Sequence, residues 1–315
     1  MTVTAPAPAP PALLHSVGDR ALTWLDANRD HFRLTERDLA RGDALVERLK
    51  PIGELAINMR MLFREGVAGS RQRERAGSLL DFAWRELLDG GNVLARHQHN
   101  EPFSPVALEM YAVFHELDYR HPGLEAALAT PRTTATWRAL EMQPNRRLGV
   151  LNAERRMGLT PSGDFAEAAA ATWLGQRPEP WTVHLHIAYD ITHTVFHLTN
   201  WGENPGRLPE PLADYIELYL PAWAADWAEL EHWDLLGELL IVDACLPHPT
   251  LDGQLWERYA AAQSATGAMP LCGRLPEGDP SDVFDIVHHP TLVAAFASAM
   301  ATSRSLSADG TGAGA

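Results

Sequence analysis

The sequence of 315 residues is poor in cysteine and has no long apolar run. Its two cysteines, Cys245 and Cys272, are too few for the disulfide framework of a small secreted domain. No stretch approaches about 18 consecutive apolar residues, which is the pattern of a membrane-spanning helix. The first residues lack the basic and apolar regions of a secretory signal. These absences predict a cytoplasmic protein without a membrane partner.

Clusters of lysine and arginine are also lacking. The chain has 26 basic and 41 acidic residues, which gives a net charge of −15 at pH 7. Nucleic acids and anionic membranes are bound by clustered positive charge, so neither is an expected partner. The sequence also has no phosphate-binding loop, dinucleotide fingerprint, nucleophile elbow or Cys-x-x-Cys pair. None of the function classes that carry these motifs is therefore indicated.

Strand patterns are scarce, whereas apolar residues recur at helical spacing along most of the chain. The one alternating segment, TVHLHI at 182–187, is interpreted as the approach to a helix. Proline and glycine separate the helical segments, and Pro51 is expected to open one of them. The pattern predicts an all-α fold of about a dozen helices in one domain, residues 12–302. The Ala/Pro-rich residues 1–11 and the residues 303–315 are predicted to be disordered tails.

Tryptophans mark several of these helices at long intervals. Three of the intervals are of about 50 to 60 residues, which fits one helical hairpin per unit and five or six units. Units of this kind stack into an α/α toroid or a short closed solenoid. Polar faces of the inner helices would then line a central cavity. The marker residues are Trp24, Trp84, Trp137, Trp173, Trp233 and Trp256.

The stretch HLHIAYDITHTVFHLTNWG, residues 184–202, places four histidines in an otherwise apolar run. At about 100° per residue, His186, Asp190, His193 and His197 share one face of a helix. Lysine, glutamate and arginine, which are typical of an outer face, are missing from it. The pattern predicts a polar stripe directed into a cavity. The alternative is a solvated face, or core histidines bonded to backbone carbonyls.

Two chemistries fit this stripe. His193 and His197, spaced i, i+4, could bind one metal ion, which makes His197 a candidate ligand. In a metal-free reaction, Asp190 would orient His193 and tune its pKa for proton transfer. His193, Asp190 and the flanking Tyr189 are therefore candidate catalytic residues.

A second candidate site combines IVDACL, residues 241–246, with a later histidine pair. Asp243 and Cys245 lie among apolar residues, and a buried aspartate must be paired or bind a cation. Together with His288 or His289 they form a mixed zinc ligand set. Alternatively, the cysteine is a small core residue and the aspartate bridges helices.

The segments DAC, LWERYAAAQSATGAMP and DIVHHPTLVAAFA resemble the zinc-binding half of protein prenyltransferase β subunits. The fold of that family is the α/α toroid shared with terpenoid cyclases. The similarity covers roughly residues 238–300. It implies zinc bound by Asp243 and Cys245 and by either His288 or His289. The chain departs from the family in a shorter segment before the histidines and in the absence of a basic diphosphate pocket.

One further pair of carboxylates, Asp234 and Glu238, is spaced i, i+4 on a helix. Such a pair can act as an acid–base pair or bridge a metal ion, but a solvent-facing pair is the preferred interpretation.

Taken together, these patterns predict an enzyme with a central polar cavity, acting on a largely apolar small molecule or peptide. Zinc-assisted transfer, cyclisation or hydrolysis would be its reaction. One alternative is a metal-free acid–base enzyme that acts on glycans. The other is a helical-repeat binding or scaffold protein without catalytic activity.

Overall fold

A computed structural model describes residues 6–40 and 42–312. In this part of the chain α-helices are joined by short loops and 3-10 turns, and no strand is present, so the predicted all-α fold is confirmed. The helices are α1 (Pro11–Ala27), α2 (Glu36–Ala40), α3 (Gly42–Glu65), α4 (Ser70–Phe82), α5 (Asn92–Asn100), α6 (Val106–Glu116), α7 (Pro122–Arg132), α8 (Ala135–Arg138), α9 (Pro144–Arg156), α10 (Phe165–Ala170), α11 (Trp173–Gln176), α12 (Leu185–Thr199), α13 (Glu210–Glu229), α14 (Trp233–Cys245), α15 (Gly253–Ala262) and α16 (Pro280–Gly312).

Six of these helices form a closed ring, in the order α3, α6, α9, α12, α14 and α16. Each packs against the next, and α16 packs against α3 to close the ring. Other helices pack against the ring members: α1 against α16, α4 against α3, α5 against α6, α10 against α9, and α13 and α15 against α14. The chain thus alternates between ring helices and helices that cover them.

Helix α14 is the most buried ring member, since all of its residues from Trp233 to Cys245 are buried. Gly237 allows this close packing. A Cβ atom at position 237 would lie 2.3 Å from the Tyr259 hydroxyl of α15 and 2.6 Å from Val293 Cγ1 of α16. The carboxylates that α14 carries are therefore enclosed by neighbouring helices.

Helix α16 is long and apolar enough over Pro280–Ser307 to cross a membrane, with a mean hydropathy of 1.3. No uninterrupted apolar run marks this helix in the sequence, because polar residues are interspersed. Inside the protein, 72% of the 18-residue window that gives this hydropathy is buried, and α16 packs against α1, α3 and α14. The burial of α16 within the fold accounts for its apolar composition.

The N-terminal segment expected to be a disordered tail is attached to the fold over residues 7–9. The Ala9 amide donates to the Leu251 carbonyl at 2.8 Å, and the Gly253 amide donates to the Ala7 carbonyl at 2.9 Å. Ala9 is buried in this contact. Residues 1–5 of the predicted tail lie outside the described residues.

The sequence predicts a disordered tail from residue 303, whereas in the structure α16 continues to Gly312. Thr302 and Ser305 are buried at the start of this extension. The Arg304 guanidinium donates to the Leu246 carbonyl and ties the helix to the end of α14. These contacts hold a segment whose composition alone is typical of disorder. Residues 313–315 of the predicted tail lie outside the described residues.

Candidate functional site

The helix ring encloses a cavity of about 450 Å³, and all six ring helices contribute side chains to it. Much of its wall is apolar, with Ile57, Met110, Phe196, Ile241 and Phe296 among the lining residues. The ionisable residues that line it are Glu47, Lys50, Glu54, Glu109, Arg146, Arg156, His193, His197, Glu238 and His289.

Three side chains from α14 and α16 converge at the edge of this cavity, and we call Asp234, Glu238 and His289 the triad. One ligand atom of each lies within 4.8 Å of the other two. His289 Nε2 is 3.6 Å from Asp234 Oδ1 and 3.5 Å from Glu238 Oε1. The two carboxylates are one helical turn apart on α14, so they share a face of that helix. The packing of α16 against this face brings the imidazole to them.

The remaining polar atom of each triad residue is held by a neighbouring side chain. Tyr189 donates its hydroxyl to Oδ2 of Asp234 at 2.5 Å. Thr192 donates to Oε2 of the triad glutamate, and Glu54 Oε2 lies 3.1 Å from Nδ1 of the triad histidine. Asp234 Oδ1 is buried and has no hydrogen-bond partner within the described chain. The neighbours thus fix the three groups so that Asp234 Oδ1, Glu238 Oε1 and His289 Nε2 face one another.

The electrostatics of the triad follow from burial and mutual charge. Burial raises the pKa of Asp234 against the opposing effect of His289. Burial also opposes ionisation of Glu238, but His193 and His289 outweigh it and lower the pKa of this carboxyl. Although burial lowers the pKa of the His289 imidazole, Glu54 and Asp234 raise it well above its usual value. The triad is therefore an acidic centre in which positive charge is stabilised.

Glu54 completes this arrangement from the opposite side of the imidazole. Its burial favours the neutral acid, but the charge of His289 and the contact with it lower the pKa of Glu54 to about 2. A carboxylate on the far nitrogen of a histidine fixes the ring orientation and strengthens the near nitrogen as a ligand or base. Glu54 therefore directs Nε2 of His289 toward the two carboxylates.

His193 lies on the open side of the triad. Its Nε2 is 3.7 Å from Glu238 Oε1, it lines the cavity, and 45% of its side chain is exposed. An imidazole in this position can exchange protons both with a group bound at the triad and with solvent.

A second polar group borders the same cavity around Gly149 of α9. A Cβ atom at position 149 would lie 2.8 Å from Glu109 Oε1 and 3.2 Å from His197 Nε2, so the glycine makes room for both side chains. Arg146 forms an ion pair with Glu109. Burial raises the pKa of Glu109 to about 7, against the effect of this arginine. Near neutral pH this carboxyl can therefore donate or accept a proton.

The polar stripe predicted on α12 is distributed over several environments. His193 and His197 line the ring cavity, as expected for an inward-facing stripe. His186 is exposed. Asp190 accepts a hydrogen bond of 2.6 Å from the Asn145 amide, whereas the carboxylate beside His193 is Glu238. In place of the predicted pairing with each other, Asp190 contacts Asn145 and His193 contacts Glu238. Tyr189, the third predicted catalytic residue, donates a hydrogen bond to Asp234.

The second predicted site, with Asp243 and Cys245 as zinc ligands, does not converge in the structure. Asp243 accepts hydrogen bonds from the Thr250 amide and hydroxyl, at 2.9 and 3.0 Å, and from the Leu251 amide at 2.8 Å. Five residues along a helix turn the side chain by about 140°, so Asp243 faces a different side of α14 from Glu238. Its carboxylate stabilises the turn after α14.

Cys245 is fully buried, and burial raises the pKa of its thiol to about 12. It lies beside Gly202 and is not one of the residues that line the cavity. A neutral buried thiol of this kind is a core residue. The metal pair implied by the resemblance is thus absent from the converging ligand group that the described residues form.

Of the two adjacent histidines on α16, His289 belongs to the triad and His288 does not. His288 Nδ1 lies 2.9 Å from the Phe284 carbonyl, and the imidazole stacks on the Phe284 ring at 5.1 Å. The two side chains are about 100° apart on the helix, so only one of them can face the cavity.

The interpretation of Asp234 and Glu238 as a solvent-facing pair is wrong, because both residues are 2% exposed. Their i, i+4 spacing was the available signal, and the apolar residues on every side of them were the sign of burial. The roles of Glu54 and Thr192 were not identified from the sequence. Both depend on contacts between helices that are far apart along the chain.

No curated protein and no solved structure matches the sequence significantly. The family model described as Domain of unknown function (DUF6895) matches residues 18–299, a region that contains the triad. The chain therefore belongs to the DUF6895 family.

Proposed function

We propose that this chain is a metal-dependent enzyme that binds a divalent ion through Asp234, Glu238 and His289. The observation that carries the proposal is the convergence of three ligand atoms within 4.8 Å of one another, each on a side chain whose other polar atom is held by a neighbour. Two carboxylates balance the charge of a dication, and an imidazole with carboxylates suits zinc, manganese or iron. The orphaned Oδ1 of Asp234 is explained by a ligand at this point.

Hydrolysis is the reaction that this arrangement supports best. Three protein ligands leave a further coordination position open, as in catalytic zinc sites. A divalent ion here would polarise a carbonyl group and lower the pKa of water. His193 would accept the proton from water and return it to the leaving group. The apolar wall near Phe196 and Phe296 would hold the apolar part of an ester or amide substrate.

The closed ring of six helices supports an α/α toroid as the architecture. The prenyltransferase resemblance carries no proposal of activity, because Asp243 and Cys245 have other contacts. The free thiols of Cys245 and Cys272 support a reducing, cytoplasmic location.

A metal-free acid–base enzyme is the second candidate, and the contact of 3.1 Å between Glu54 and His289 favours it. In this alternative the His289 imidazolium, in place of a metal ion, balances the negative charge of Asp234 and Glu238 and donates a proton to the substrate. Metal content separates the two candidates.

The test is metal analysis of the purified protein and of metal-depleted protein titrated with Zn²⁺, Mn²⁺ and Co²⁺. We expect about one equivalent per chain, with binding at least ten-fold weaker in Asp234→Asn and Glu238→Gln. The matched control is Glu47→Gln, which removes a carboxylate at the cavity wall outside the triad. Cys245→Ala should bind metal like the wild type.

Activity is measured on p-nitrophenyl butyrate, a small ester with an apolar acyl chain. We expect metal-dependent hydrolysis that falls at least ten-fold in His193→Gln without loss of the metal. If none of the three ions binds and activity is unchanged by chelators, the metal proposal is wrong. Hydrolysis that persists without metal and requires His289 would support the acid–base alternative.

A further inference from the structure

A second recess, of about 310 Å³, lies beside the ring cavity at the start of α9. A third recess, of about 430 Å³, connects them. It shares Gln143, Asn145 and Asp190 with the second recess. It shares Arg146, His193 and His197 with the ring cavity. The ring cavity is therefore joined to the second recess through the wall residues that the third recess shares with each of them.

An exposed tryptophan, Trp173, forms part of the wall of the second recess, and half of its surface is in contact with solvent. It is the first residue of α11, and the Thr172 hydroxyl caps this helix by accepting from the Gly175 amide at 3.0 Å. A Cβ atom at position 175 would lie 2.0 Å from the Ala169 carbonyl, so α10 and α11 meet in a tight turn. The indole is thus presented on a short, well-anchored segment.

The polar groups of the recess are amides and one carboxylate. Asn145 donates one N–H to Asp190 Oδ1 at 2.6 Å. Within the described chain, the other Asp190 oxygen, the Asn145 side-chain oxygen and the Gln143 side chain form no hydrogen bond. These groups offer both acceptors and donors to a ligand. The carboxylate disfavours an anionic ligand, and the nearby Arg146 is already paired with Glu109.

We propose that the second recess binds a neutral sugar ring stacked on Trp173. The C–H face of a pyranose is apolar and flat enough to cover an indole, while its hydroxyls can donate to Asp190 and bond to the amides of Asn145 and Gln143. This inference rests on the proposed function, because it takes the ring cavity as the reacting centre. The substrate would be a glycoside whose sugar lies at Trp173 and whose ester- or amide-linked apolar part extends to the triad.

The test is calorimetric titration of the full chain with uncharged tetrasaccharides: cellotetraose, maltotetraose, xylotetraose, mannotetraose and chitotetraose. We expect binding of at least one of them, weakened ten-fold or more in Trp173→Ala and less in Trp173→Tyr, which keeps an aromatic face. The control is Trp181→Ala, because Trp181 is 78% exposed and does not line any of the three recesses. Circular dichroism checks that each variant is folded.

Two outcomes would overturn the proposal: no tetrasaccharide binds, or binding is unaffected by Trp173→Ala. Binding of penta-alanine that depends on Trp173, without binding of the sugars, would assign the recess to a peptide instead. The variant Asp234→Asn separates failure of the metal proposal from failure of the sugar proposal, because sugar binding should persist in it. Sugar binding retained in a protein that takes up no metal would reject the metal centre and leave the subsite in place.

Discussion

His197 shows at the scale of one residue how the cavity controls protonation. Burial lowers the pKa of its imidazole to about 3, and the positive charges of His193, Arg146 and Arg156 act in the same direction. Its Nδ1 is buried and has no hydrogen-bond partner in the part of the chain that is described. The folded protein therefore holds this ring neutral, whereas in the unfolded chain it titrates at about pH 6.5.

We predict that His197 makes the protein less stable in acid. Below about pH 6.5 the unfolded chain gains a proton that the folded chain accepts only near pH 3, so stability present above pH 6.5 is lost as the pH falls. Between pH 7 and pH 4 the wild type should lose roughly 3 kcal/mol more free energy of unfolding than His197→Gln. Urea unfolding at both pH values measures this. The control is His186→Gln, at an exposed position of α12; equal pH dependence of wild type and His197→Gln would contradict the prediction.

Some site residues could be predicted from local spacing, and others could not. His193 and His197 were identifiable because α12 has one polar stripe on an apolar helix, so the helical period gives their direction. Asp234 and Glu238 lie on α14, which is buried on all sides and has no polar face to orient it. Their spacing was visible, but their partner His289 is contributed by a helix whose position depends on tertiary packing.

At the scale of the helices, close approach at Gly237 positions the triad. Residue 237 precedes Glu238, and its missing side chain lets α14 contact Tyr259 of α15 and Val293 of α16. Both neighbours are buried or nearly so, which leaves little room for them to move. The separation of α14 and α16, and with it the distance from Glu238 to His289, depends on this contact.

We predict that Gly237→Ala destabilises the protein although alanine favours helix formation. The change of helix propensity should contribute about 1 kcal/mol of stabilisation. The added Cβ, at 2.3 Å from the Tyr259 hydroxyl and 2.6 Å from Val293, should cost more, for a net loss of about 1 to 3 kcal/mol in urea unfolding. Gly206→Ala is the matched control, because no atom lies within 4 Å of its added Cβ. Equal stability of the two variants would show that α14 can shift without cost.

Helix existence was easier to predict from the sequence than helix boundaries. Pro51 was expected to open a helix, but it lies inside α3. A proline within a helix removes one backbone hydrogen bond and does not always end the helix when packing holds both sides. Residues 182–187 lead into α12, which begins at Leu185, as the sequence indicated. Periodicity reports the buried face of a segment, whereas its ends depend on capping and packing.

At the scale of the whole molecule, helices from opposite ends of the chain pack together, since α1 covers the ring helix α16. α1 packs along α16, and Gly18 approaches Ser298 so closely that a Cβ at position 18 would lie 2.2 Å from the serine Oγ. Ser298 donates its hydroxyl to the Leu14 carbonyl at 2.6 Å. Contacts between residues so far apart leave no trace in local periodicity, and only the long tryptophan intervals indicated a repeated, closed arrangement.

We predict that this contact makes residues 12–302 one cooperative unit, as a single domain requires. Leu22 of α1 is 1% exposed, and Leu22→Ala should cost roughly 2 to 5 kcal/mol. The midpoints of urea unfolding, followed by circular dichroism for helix content and by tryptophan fluorescence, should then shift to lower urea concentration by the same amount. Each curve should show a single transition. Leu230→Ala, at a position 66% exposed, should leave both curves unchanged. If α1 detached on its own, the variant would lose part of its helix signal at a lower urea concentration than the one at which the ring unfolds. That outcome would show that the ring of six helices is stable without α1.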